Sequence, residues 1–359
     1  MTGIETGRAL AGASPRPLPR GRSALEPALL AALLVAGVLA IGSGAVPIPW
    51  ETVARILLHR LGLPMTPSWT EATASIVLDL RLPRVLLAAT VGAGLAGAGT
   101  VFQGLLRNPL ADPYIVGVSA GAAFGATIAI TAGWATGVAG LATTPLLAFL
   151  GALGATAVVY TLARRDGETP VEDFLLAGVA VSAFLAAAVS WMQLSGGESL
   201  QRVIFWLMGG LSGRGWPHLV MAAPYVVGGL VLAWLFGREL NALLLGDETA
   251  RSLGVEVGRA RPILIVAGSL MAAASVAAAG LIGFVGLIVP HLVRIAVGPE
   301  HRRLIPAAAL GGAVLLVLSD TAARSTAGVA ELPVGILTAA LGAPFFLFVL
   351  LRARRRFWT

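Results

Sequence analysis

Runs of about 20 apolar residues, parted by short polar or charged breaks, recur along nearly the whole chain. A helix of that length crosses the roughly 30 Å hydrocarbon layer of a bilayer. The runs are continuously apolar rather than alternating, which predicts helices and not the strands of a barrel. Ten crossings are expected: Pro27–Val46, Pro83–Leu106, Tyr114–Gly133, Leu141–Ala163, Val171–Leu194, Pro217–Phe236, Pro262–Leu281, a short returning segment Gly283–Val297, Leu304–Ala322 and Pro333–Leu351. One straight helix through Pro262–Val297 would be about 54 Å long, so the chain must enter and come back there. The turn is expected in AGLIGFVG, Ala279–Gly286, where glycines relax the helix and Pro290 lacks a donor. A broken helix at membrane depth is tolerated only under a cover of protein or beside a cavity, which makes this stretch a candidate pathway wall.

Outside the spans the pattern changes. Residues 1–26, rich in Arg, Pro, Gly and Ser, are expected to form a disordered cytoplasmic tail, and 27–356 a single transmembrane domain. The apolar run after the tail is longer than a signal-peptide core and reads as an anchor. Pro47–Leu80 is expected to be an outside connection with a short amphipathic helix over Trp50–Leu61, and Trp50 and Trp69 suit an interface. The island Arg238–Arg261, RELNALLLGDETARSLGVEVGRAR, is too charged for lipid and must face something else. Within it Leu240–Leu245 and Glu248–Leu253 can each form a short helix, with Gly246 and Gly254 as breaks.

Composition agrees with this reading: 57% of the 359 residues are apolar and 12% charged, with a mean hydropathy of +0.86. Cysteine is absent, and every one of the 25 basic residues is arginine. With the N-terminal tail inside, only Arg55, Arg60, Arg81, Arg84, Arg202, Arg214 and Arg324 fall outside. That bias puts both termini in the cytoplasm and makes the basicity a topology signal, not a nucleic-acid footprint. His59, His218, His291 and His301 are scattered, and no carboxylates cluster at ligand spacing, so no metal site and no cofactor is expected. Asp79, Asp112, Asp320 and Glu331 sit near predicted ends rather than deep in spans, which weighs against a proton-driven carrier, the rival from another class. Without lysine the chain cannot build a GxxxxGK[ST] phosphate loop, so any nucleotide hydrolysis belongs to another polypeptide.

Four blocks carry a resemblance: RLPRVLLAATVGAGLAGAGTVFQGLLRNPLADPYIVGVSAGAAFG (Arg81–Gly125), GDETARSLGV (Gly246–Val255), IGFVGLIVPHLVR (Ile282–Arg294) and ELPVGILTAALGAPFF (Glu331–Phe346). In this order they resemble the FecCD-type permeases, the BtuC-like membrane subunits of ABC importers for iron-siderophores, haem and cobalamin. The resemblance implies an all-α polytopic protein of about ten transmembrane helices, non-catalytic, working as a homodimer with the pathway between subunits. Two copies of a cytoplasmic ATPase and one extracytoplasmic binding protein would complete the importer.

The resemblance also implies residue roles. Gly246, Asp247, Glu248, Ala250, Arg251, Leu253 and Gly254 match the loop that seats in the ATPase; a merely solvated loop is the alternative. Arg81, Arg84 and Arg324 match arginines presented to carboxylates of the binding protein; contacts within the subunit are the alternative. Asn108, Pro109 and Leu110 match the region bordering the inner gate; a structural turn is the alternative. Iron-siderophore or haem is the expected cargo, with a corrinoid as the other possibility.

Overall fold

The computed structural model describes residues 24–44, 46–134, 137–165, 168–325 and 331–356. The expected disordered tail lies almost wholly outside these residues. Among the described residues, regular structure is helical apart from one isolated bridge between Arg165 and Glu168. In chain order come α1 (Leu25–Gly42), α2 (Trp50–Arg60), α3 (Glu71–Ser75), a π turn (Ile76–Arg81), α4 (Leu82–Leu105), α5 (Val118–Thr131), α6 (Gly137–Ala163) and α7 (Val171–Ser195). There follow α8 (Ser199–Leu207), α9 (Trp216–Leu235), α10 (Gly237–Leu243), α11 (Asp247–Ser252), α12 (Val257–Ala279), α13 (Val285–Val297), α14 (His301–Ser325) and α15 (Val334–Arg356). Seven helices are long and apolar enough to cross a bilayer, and α5, α13 and the apolar part of α15 are shorter. Together they match the ten expected segments.

Two departures from expectation have local causes. The stretch before Pro83 is helical rather than a loop, running unbroken from Glu71 to Leu105. Thr70 caps its start, its hydroxyl accepting from the Thr73 amide at 3.2 Å. Proline cannot donate to the turn before it, and the wider π turn takes up the mismatch: the Leu82 amide reaches back five residues to the Val77 carbonyl. The second departure is α8, in a stretch given no element above. Leu200, Val203, Ile204 and Leu207 recur at three- and four-residue spacing, which is a helical period.

The core is built around α4, buried along most of its length and packed against α14, α12, α9 and α13. Lipid gives no hydrophobic drive for helices to associate, so contact rests on close backbone approach at small residues. Gly92 of α4 lies so near α14 that an added Cβ would sit 2.2 Å from the Gly312 carbonyl oxygen. One at Gly99 would meet the Gly286 carbonyl of α13.

An alanine normally stabilises a helix relative to glycine, so the sign of a substitution tests this packing. Gly99→Ala is expected to lower the thermal unfolding midpoint in detergent, by a free energy of about 1–3 kcal/mol. Gly228→Ala, where nothing lies within 4 Å of the new Cβ, is expected to leave the midpoint unchanged or raise it.

Candidate functional site

The charged island folds into α10 and α11, close to the two short helices expected. Leu240 and Leu243 turn inward one helical step apart, and Ala250 does the same on α11. Gly246 and Gly254 sit at φ +103° and +84°, conformations that side-chain-bearing residues rarely adopt, and they end the two helices. Side chains bolt the loop to the bundle. Asn241 Oδ1 accepts from the His301 amide at 3.0 Å, capping α14, and from His301 Nδ1 at 2.6 Å, so that ring carries its proton on Nδ1. Asp247 pairs with Arg261 of α12 at 2.6 Å, Arg261 also donates to the Thr169 carbonyl at 2.9 Å, and Arg251 pairs with Glu168. Burial by itself would raise the Asp247 carboxyl, but the Arg261 hydrogen bond and the charges of Arg261, Arg107 and Arg251 outweigh it and hold the group below the usual carboxylate range. What stays exposed is Glu248, Thr249, Arg251, Ser252 and Gly254, with Leu245 and Leu253 each more than 60% accessible. The seven expected coupling residues therefore divide: Asp247 and Ala250 anchor, Arg251 pairs with Glu168, the glycines shape the backbone, and Glu248 and Leu253 face outward.

Behind the island the α-helical course breaks twice, over 106–117, where a single 3-10 turn forms at Pro113–Val116, and over 280–284. In hydrocarbon a free backbone amide or carbonyl has no water to turn to, and one side chain joins the two breaks. The Tyr114 hydroxyl donates to the Ile282 carbonyl at 2.9 Å and accepts from the Ile282 amide at 3.2 Å. Pro290, inside α13, leaves the Gly286 carbonyl without its helical donor. Gln103 of α4 supplies one, donating through Nε2 to the Gly286 and Leu287 carbonyls at 3.4 and 3.1 Å. The expected turn region is thus a covered break. Among the gate candidates, Asn108 Oδ1 accepts from the Leu110 amide at 2.9 Å, forming a turn, and Pro109 is exposed beside it. Leu110 borders a small cleft with Leu287, Ile288 and His291 of α13 and Phe345 of α15.

At the other end of the bundle the arginines expected to dock a binding protein are engaged within the chain. Arg81 is 8% exposed and donates to the carbonyls of Ile41 (2.7 Å), Gly42 (3.2 Å) and Val46 (2.5 Å). Arg324 donates to the carbonyls of Ala40 and Ser43 and pairs with Asp320 at 3.2 Å. Both cap the C-terminus of α1, where unsatisfied carbonyls and the helix dipole favour a cation. Arg84 forks onto the fully buried Asp320 at 2.9 Å and reaches Glu331 at 2.9 Å. That pair lines a cavity of about 580 Å³, with Trp206 and Arg202 of α8, Gly209, and Arg214 just before α9. Sequence reasoning named neither Arg202 nor Arg214 as a site residue; the helical period of α8 was the available signal. Among the described residues no three His, Cys, Asp or Glu side chains converge as a metal site would require.

Comparison with known proteins adds the relationships. The sequence profile of the FecCD transport family matches residues 32–352. The cobalamin import system permease protein BtuC of Halobacterium salinarum is 47% identical over 308 residues, 86% of this chain and 80% of that protein. The hemin transport system permease protein HmuU of Yersinia pestis is 40% identical over 336 residues, 90% of this chain and 95% of that protein. A solved structure described as an inward-facing conformation of a metal-chelate type ABC transporter is 33% identical, with a TM-score of 0.79 covering 92% of this chain and 99% of its own.

Two measurements follow from the geometry. Arg81→Leu leaves the carbonyls at the end of α1 buried without donors and is expected to cost about 1–3 kcal/mol, read as a lowered unfolding midpoint in detergent; an unchanged midpoint would leave Arg81 without a capping role. The Asp247 carboxyl has a depressed folded pKa, so its contribution is present above its unfolded value near ~3.9 and is lost as pH falls through the folded one. Asp247→Asn is therefore expected to speed amide exchange over 247–254 at neutral pH, where the native loop stays protected.

Proposed function

The chain belongs to the FecCD transport family, and on that premise we propose that it is the membrane permease subunit of an ATP-driven importer moving an iron chelate, a ferric siderophore or haem, across the cytoplasmic membrane. The observation that carries the mechanism is the island: α10 and α11 are clamped to three parts of the bundle by Asn241–His301, Asp247–Arg261 and Arg251–Glu168, yet leave Leu245, Glu248 and Leu253 uncovered. A rigid element with an exposed apolar and acidic tip suits a partner that pushes. Hydrolysis needs a phosphate-binding lysine that this chain lacks, so the partner is a separate ATPase and this subunit is non-catalytic. Force on the tip passes through Arg261 to α12 and through Asn241 to the start of α14, and α12 leads to the break tied by Tyr114.

The arginine bias assigns the island and both termini to the cytoplasm. The opposite end then faces outward and receives the binding protein. There Arg84 and the partly exposed Glu331 are the members of the charge cluster nearest the surface, while Arg81 and Arg324 hold the docking face in shape from beneath. The subunit works as a homodimer with the pathway between the copies; Asn108, Pro109 and Leu110 border its inner mouth. Corrinoid import is the alternative cargo within the family. A secondary carrier needs an ionisable group free to titrate in the span. One buried carboxylate near such a position, Asp320, is held between Arg84 and Arg324, which weighs against that role for it.

Replacing Glu248 by Arg, or Gly254 by Val, is expected to lower both transport and binding-protein-stimulated ATPase activity at least about tenfold, with the binding protein still docking. Unchanged activity in both variants would remove α11 from the coupling path. Transport by this chain reconstituted alone would instead favour the carrier.

A further inference from the structure

The outer cavity of about 580 Å³ carries positive charge that its own residues do not balance. Arg84 on its wall belongs to a closed set in which two arginines, Arg84 and Arg324, face two carboxylates, Asp320 and Glu331. Arg202 and Arg214 also line the cavity, and among the described residues neither has a carboxylate in ion-pair contact. Glu198, one turn before Arg202, forms no pair with it and does not line the cavity. Arg214 is held by donating from Nη1 to His218 Nε2 at 2.9 Å; an imidazole that accepts is neutral and brings no counter-charge. Burial costs this guanidinium, lowering its pKa. A separate feature of the same wall is Trp206, 8% exposed, whose indole N–H is buried with no acceptor among the described residues. A desolvated cation without a counter-ion is relieved by a ligand that brings anionic oxygens, while the Trp206 ring supplies an apolar wall. The volume falls in the range of small-molecule sites, roughly 300–1,000 Å³.

We propose that this cavity is a cargo-binding site selecting for negative charge: Arg202 and Arg214 pair with carboxylate or other anionic oxygens of a metal chelate, and the Trp206 ring packs against the same ligand. The inference rests on the importer-permease reading and deepens it, since it separates anionic iron chelates from corrinoids, whose amide-bearing periphery is largely uncharged. It makes Arg202 and Arg214 specificity residues for the cargo, distinct from the internally paired Arg81, Arg84 and Arg324.

The test is equilibrium dialysis of the full-length protein in neutral phosphatidylcholine nanodiscs against ferric dicitrate, an anionic chelate, and cyanocobalamin, which has no net charge. Ferric dicitrate is expected to bind at least about tenfold more tightly, with an affinity that falls as salt rises. Arg202→Gln and Arg214→Gln are each expected to weaken ferric dicitrate at least about fivefold and leave cyanocobalamin unchanged. Arg202 is exposed, so its variant decides the matter if the Arg214 variant fails to fold. Equal or tighter cyanocobalamin binding, no ferric dicitrate binding, or an unaltered affinity in Arg202→Gln overturns the proposal. So does an Arg202→Gln variant that loses affinity for the binding protein alone, which would make the arginine a docking residue. Failure of the permease reading is seen elsewhere, as ATPase activity that the binding protein does not stimulate while dicitrate binding persists.

Discussion

Water is missing from the bilayer interior, and every backbone amide or carbonyl there must find its partner within the protein. This chain breaks its helices twice in its interior, before α5 and between α12 and α13, and the rest of the fold accommodates those breaks. Tyr114 ties one to the other through both polar groups of Ile282. Gln103 replaces the donor that Pro290 removes. These side chains reach because α4 is stripped to glycine and alanine where it meets α13 and α14, so backbones approach to carbonyl contact. The small residues and the polar residues are thus parts of one solution: the first bring the broken segments near, and the second satisfy them.

Charge is treated differently at the two ends. At the island end, the pairs Asp247–Arg261 and Arg251–Glu168 join α11 to α12 and to the turn before α7, so electrostatics there ties an exposed element to the bundle. At the opposite end, Asp320 is fully buried with Arg84 and Arg324 in contact with it, so the pairing lies inside the protein. Two further arginines in the neighbouring cavity, Arg202 and Arg214, have no carboxylate partner among the described residues. A protein that balances one cluster so closely and leaves the adjacent one open is arranged to receive charge from outside.

Much of this was legible from residue pattern. The ten apolar segments, the return near Gly280, the two short helices of the island and their glycine breaks all follow from local rules of length, period and backbone freedom, and the structure has them within a few residues. Pro83 misled, because proline usually opens a helix and here a π turn lets the helix run through it. For Arg81 and Arg324 the sequence leaves two readings, contact with a binding protein or contact within the subunit, and the structure has both donating to carbonyls at the end of α1. An arginine near a span end looks the same in sequence whether it meets a partner protein or the carbonyls of α1, which lie 39 to 284 residues away.

Hydrophobic length, arginine bias and the absence of lysine are sums over the chain, and they determined that it spans a membrane, which ends are expected inside, and that it holds no GxxxxGK[ST] phosphate loop. Which polar groups meet is a matter of three-dimensional distance between positions as remote as Arg84 and Asp320 or Tyr114 and Ile282. Only the tertiary structure decided that, because those contacts exist solely where close-packed glycines bring distant backbones together.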